Sequence, residues 1–189
     1  MAEWYSVVHL DRMVEVTGVY SSPNTTWTLP FTDDTLDTIV LGPDFTADFG
    51  DILEPDSNSG GSVVLAGDYS DGPVVIGRGY TMSVELTRPY FRDSQGRARV
   101  DAFLNIQRII AAYHKTGALD IRATHPDIAV VADRTESLDI DPIKERGVLT
   151  MWLGSRADDV KIFLENRTPK PSTVASVEMI CDYASRVLE

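Results

Sequence analysis

The residues that could carry chemistry are few and widely spaced. Cys181 is the only cysteine, so neither a disulfide framework nor a cysteine-based zinc cluster can form within the chain. Its place between Ile180 and Asp182, in a strand-like run, fits a small buried apolar group. His9, His114 and His125 show no His-x-His or His-Glu-x-x-His spacing. His114 and His125 could meet across a hairpin, but no carboxylate or thiol pattern accompanies them. Asp56, Asn58, Gly60 and Gly61 resemble the start of a calcium loop, yet Gly67 stands where the closing bidentate Glu belongs. A flexible loop is the expectation there. There is no Gly-x-Ser-x-Gly elbow, and Gly77-Arg78-Gly79 lacks phosphate-loop spacing. With 29 acidic residues, paired carboxylates arise by chance and single out no glycosidase site. Trp4, Trp27 and Trp152 each lie in an apolar strand pattern, which predicts core packing over a sugar-stacking platform. No catalytic, cofactor-binding or metal-binding residue is therefore expected, no cofactor is implied, and the chain is expected not to be an enzyme. Interface residues are unknown at this level.

The elements that would position these residues are β-strands. The chain has 189 residues, 43% apolar and 24% charged, with a net charge of −12. That length predicts one β domain over 1–189, with a possible subdomain division near 54–61. The acidity disfavours general affinity for nucleic-acid phosphates and for anionic membranes, but it permits a surface that DNA slides past. The N-terminal residues lack a basic stretch followed by an apolar one, so no signal peptide is expected. No apolar run approaches the roughly 20 residues needed to span a bilayer, so no membrane anchor is expected.

Short β-favouring runs recur about every ten residues, separated by Gly, Pro, Asn and Asp. The predicted strands are Trp4–Leu10, Met13–Tyr20, Thr25–Leu29, Thr35–Leu41, Ser62–Ala66, Pro73–Ile76 and Tyr80–Leu86, then Ile128–Ala132, Val148–Leu153, Val160–Leu164 and Val174–Tyr183. Between them, Phe103, Ile106, Ile110 and Tyr113 fit helical spacing, while Leu104, Ile106, Ile110 and Ala112 fit one face of a strand. The turn residues Lys115-Thr116-Gly117 favour a long hairpin from Val100 to Thr124, with Asn105, Gln107 and Arg122 facing solvent. The acidic stretch Asp133–Arg146 is expected to be a loop. The fold class is all-β: an antiparallel sandwich or barrel with long hairpins and an acidic loop.

Four blocks carry a family resemblance. The first is His9-Leu10-Asp11-Arg12 followed by Thr25-Thr26-Trp27-Thr28-Leu29-Pro30-Phe31. The second is Val74-Val75-Ile76-Gly77-Arg78-Gly79-Tyr80 leading to Glu85-Leu86-Thr87-Arg88-Pro89-Tyr90. The third is Leu104-Asn105-Ile106-Gln107-Arg108 with Tyr113-His114-Lys115-Thr116-Gly117-Ala118-Leu119. The last runs from Asn166-Arg167-Thr168-Pro169 to Val177-Glu178, then Tyr183-Ala184-Ser185-Arg186. In this order the set resembles the C-terminal part of the tail tubular protein B family, the nozzle proteins of short-tailed, T7-like bacteriophages. Met179 stands where the family has Trp, and Asp133–Arg146 has no counterpart. Family members are several times longer, which implies that this chain corresponds to part of a longer nozzle protein.

The resemblance implies a structural virion protein of the tail, assembled in the host cytoplasm. It implies a homohexameric ring channel that holds the genome and conducts it at ejection. The neighbours implied are the tail adaptor protein, the tail fibres and passing DNA without sequence-specific binding. An isolated fragment is expected to be monomeric. Two readings from other classes remain beside it: a carbohydrate-binding β-sandwich, which needs an exposed aromatic row, and a polysaccharide-degrading enzyme, which needs two carboxylates across a cleft.

Overall fold

The computed structural model describes residues 8–46, 48–92, 94–97, 102–125, 128–137 and 144–185, with side chains not described at 102, 128–137, 144, 184 and 185. Every regular element among them is a strand, and the strands form four antiparallel sheets, none closed into a barrel. The described chain divides into two compact units. The first runs to Thr81 and includes Arg167–Pro171; the second takes the remainder. The 54–61 stretch lies within the first unit.

The first unit holds β1 (Asp11–Thr17), β2 (Val19–Ser21), β3 (Asn24–Thr28), β4 (Thr38–Leu41), β5 (Ile52–Leu53), β6 (Ser57–Ser59), β7 (Ser62–Ala66) and β8 (Pro73–Arg78). They form two sheets, β1-β8-β4-β5 and β2-β3-β7-β6. Trp27, Val63, Ile39, Leu41, Val74 and Ile76 pack together between them. Val40 and Val75 point the other way and are covered by Val8 and Leu10. Burial on both faces explains why β4 and β8 read as continuous apolar runs with no alternation. Gly18, between β1 and β2, is where the chain changes sheets. A Cβ there would sit 2.4 Å from Thr25 Cγ2 and 2.8 Å from Trp27 Nε1, so only glycine fits.

The segment expected to be a flexible loop, Glu54–Gly61, is instead half of a β-hairpin. Ser59 pairs with Ser62 across Gly60-Gly61, and both glycines have positive φ (61° and 82°). That is a two-residue type I′ turn, which matches the twist of its strands.

The second unit holds β9 (Met82–Glu85), β10 (Ala102–Thr116), β11 (Ala118–His125), β12 (Ile128–Ser137), β13 (Lys144–Arg156), β14 (Lys161–Asn166) and β15 (Val174–Ser185). Its sheets are β13-β10-β15 and β12-β11-β14-β9. Ile109, Ala111, Leu149 and Met151 from the first meet Leu119, Ile121, Ile162 and Leu164 from the second in one core. This unit is a two-sheet sandwich.

Two expectations about this unit are corrected. Residues 102–116 form a strand, but no hairpin follows: β10 pairs with β13 and β15, and β11 with β12 and β14. The chain turns over at Lys115, whose φ is 45°. Thr116 is buried and bound to the residue just before β15, its Oγ1 accepting from Thr173 N at 3.0 Å. The physical reason is that β10 and β11 both carry apolar faces. Crossing between sheets lets those faces bury each other, whereas a hairpin would set them side by side.

The acidic stretch Asp133–Arg146 is also mostly strand. Asp133–Ser137 completes β12, with Asp133 opposite Arg122, and Lys144–Arg146 opens β13. As an edge strand, β12 tolerates charged residues that a central strand would not. Residues 138–143 lie outside the described set.

Candidate interaction surface

Along β10 and β13, side chains alternate between core and exterior on either side of a bulge between Ile106 and Arg108. On β13, Leu149 and Met151 are buried, whereas Val148 and Trp152 are 61% and 68% exposed. Register continues these positions across the sheet in rows: Val148–Ala112–Ser176, Thr150–Ile110–Glu178 and Trp152–Arg108–Ile180. A further row, Arg156–Asn105–Asp182, lies beyond a bulge. The exterior face is therefore a patch of Trp, Ile, Val and Ala threaded with charge. The Arg108 guanidinium lies 5.3 Å from the Trp152 ring centroid, a cation–π distance. Gln107 Nε2 donates to Asp182 Oδ2 at 2.7 Å. At one end, an open groove of about 710 Å³ is bordered by His114, Arg146, Val148 and Thr173.

The first unit offers a different surface. A polar groove of about 670 Å³ is lined by Asp34, Asp37, Glu54, Asp56 and Arg167. Three of these carboxylates are held by backbone amides: Asp34 by Gly60 N at 3.0 Å, Asp37 by Gly79 N at 2.8 Å and Asp56 by Ala66 N at 2.7 Å. Nearby, Asp33 Oδ1 accepts from Thr35 Oγ1 (2.6 Å) and Thr35 N (3.0 Å), while Arg12 Nη1 donates to its Oδ2 at 2.6 Å. Thr35 first, then Arg12, holds the Asp33 carboxyl down at about 2. The same pairing raises the Arg12 guanidinium still further.

The residues singled out in the sequence do not converge. His114 lies at the turn end of β10 and His125 at the far end of β11. Because these strands do not pair, the hairpin that would unite the two histidines does not exist. His114 Nε2 instead lies 3.6 Å from Glu145 Oε2. The calcium-like residues serve the hairpin: Asn58 Nδ2 donates to Asp33 O and Leu36 O, both at 2.9 Å. Among the described residues no His/Cys/Asp/Glu group could hold a metal ion. Cys181 is partly buried against the core, and burial, followed by Asp182, pushes its thiol pKa up. This makes it a poor nucleophile.

Of the tryptophans, Trp27 is fully buried as expected and Trp4 lies outside the described residues. Trp152 corrects the expectation, being the most exposed large apolar side chain of its strand. Its neighbours in the row are Arg108 and Ile180, so no aromatic row for a sugar forms around it.

Sequence reasoning missed one polar feature altogether. Arg122, expected in solvent, forms an ion pair with buried Glu165 and lies 4.8 Å from the Phe163 ring centroid. Ser83 Oγ donates to the same carboxylate at 3.2 Å. Arg122 and Glu165 lie on different strands, so only the register unites them.

The described residues thus supply structural pairings and an exposed sheet face. The family comparison decides the kind of protein they build. The family profile described as bacteriophage nozzle protein matches residues 2–188. The chain belongs to that family. Among curated proteins no match is found. Membership makes this nozzle-family chain a structural protein of the phage tail, a component of the virion. Among the described residues no helix is long and apolar enough to cross a membrane.

Proposed function

We propose that the chain is a subunit of a ring-shaped nozzle that retains the phage genome and conducts it during ejection. The family match across 2–188 carries this reading. The ring is a homohexamer seated below the tail adaptor protein and offering docking surface to tail fibres, built in the host cytoplasm and carried in the virion tail. The net charge of −12 supports it physically. A channel wall of like sign repels phosphates, so DNA passes without sticking. The chain has no catalytic part in this role.

Negative-stain microscopy of the protein mixed with its phage's tail adaptor tests the proposal. Six-fold rings on the adaptor are the expected result; particles that remain monomeric under all conditions overturn it. Duplex DNA should not be retained by the protein even at low salt. Tight, salt-sensitive DNA retention would contradict the non-adhesive channel.

A further inference from the structure

The three-stranded sheet of the second unit ends in two unusually long edges. β15 has 12 residues and β13 has 13, and among the described strands each is paired on one side only, with β10. Exposed edges of this length are normally blunted by lysine, proline or bulges. Val174–Ser185 contains no Lys, Arg or Pro, and Ser176–Ile180 pairs with β10 without a register shift. Opposite it, Val148–Trp152 is equally regular and occupies the same rows.

We infer that β15 of one copy pairs through its free edge with β13 of a second copy, Ser176–Ile180 alongside Val148–Trp152, joining the two sheets. Three features select a second copy as the occupant. Both strands run antiparallel to β10 and hence parallel to each other. One end of the sheet therefore meets the other end of a rotated copy without reversing direction. That contact is head-to-tail, the kind that closes rings.

Charge is complementary as well. β15 carries Glu178 and Asp182 and no Lys or Arg, and the cation of β13 in register with Asp182 is Arg156. Finally, the rows continue in kind. Ile180 comes beside the partner's Trp152, which is 68% exposed in the single chain, and Asp182 lies in the row of Arg156. Closure of the contact into a ring rests on the nozzle reading above; the strand pairing itself does not.

The test uses two variants in a Cys181→Ser background, Ser176→Cys and Val148→Cys, with a short bismaleimide crosslinker. Neither variant alone should crosslink, whereas a one-to-one mixture should yield covalent dimers, on the adaptor if not in free solution. Crosslinking of Ser176→Cys with itself would mean a two-fold β15–β15 contact and overturns the inference. Trp152→Glu should weaken self-association by about tenfold or more while leaving thermal unfolding unchanged, since the side chain is exposed. Rings that form normally with Trp152→Glu and give no mixed crosslink would overturn the edge pairing and leave the nozzle reading standing. Chains that stay monomeric with the adaptor would overturn both.

Discussion

In the first unit, the central strands β4 and β8 of the sheet β1-β8-β4-β5 are covered on both faces, by Trp27 and Val63 with their neighbours on one side and by Val8 and Leu10 on the other. In the second unit, the sheet β13-β10-β15 buries one face only, and its other face carries exposed Val148 and Trp152. The contrast is visible in the strands themselves. β4 and β8 are short apolar runs of 4 and 6 residues, while β10, β13 and β15 span 12–15 residues and alternate. A doubly covered sheet has spent its apolar surface on folding. A singly covered one leaves apolar surface exposed.

The sharpest way to break this comparison is to truncate one tryptophan in each unit. Trp27→Ala should cost about 3–5 kcal/mol, read as a shift in the urea midpoint. Trp152→Ala should stay within about 0.5 kcal/mol and act only on association. Equal losses would refute the one-sided reading of the second unit.

The Arg122–Glu165 pair is the place where the exterior of that unit is locally buried. Glu165→Gln removes the carboxylate charge from the Arg122–Glu165 pair and should destabilise by about 1.5–3 kcal/mol, measured by the same titration. No change would mean that this face is as open as its neighbour.

Smaller effects are expected at the hairpin turn of the first unit. At Gly61, φ is +82° and an added Cβ would lie 3.1 Å from Phe31 O, so Gly61→Ala should cost about 1 kcal/mol. Gly60 has open space around it, and Gly60→Asn should be nearly neutral because Asn also suits the first position of a type I′ turn.

The smallest effect is a pH dependence. Asp33 titrates at about 2 in the folded chain against an ordinary 3.8. Its contribution is therefore fully present above pH 3.8 and is lost as pH falls from 3.8 through about 2. Asp33→Asn should flatten the acid limb of a stability profile by lowering stability above pH 3.8, with little change below about pH 2. An unchanged acid limb would show that the contacts of Thr35 and Arg12 are not maintained in solution.

Legibility followed the range of the interactions. Strand positions such as Ser62–Ala66, Val148–Leu153 and Val174–Tyr183 were visible because alternation and turn residues are local signals. The Gly60-Gly61 turn was equally local: a glycine pair between β-favouring runs is a type I′ hairpin signature, and calcium-loop and flexible-loop readings obscured it. Trp152 was misplaced because an alternating strand has two faces, and the pattern does not say which one meets a core. The Arg122–Glu165 pair had no signal, since its residues are 43 positions apart.

By itself the sequence determined an all-β chain, free of recognisable catalytic or metal-binding patterns, acidic, with ordered blocks similar to a phage nozzle family. Only the tertiary structure decided which strands share a sheet. β10 and β11 are separated by a single residue, Gly117, yet they belong to different sheets. The hydrogen-bond partners of each come from distant segments, and burying their two apolar faces against each other outweighs the short path to a hairpin.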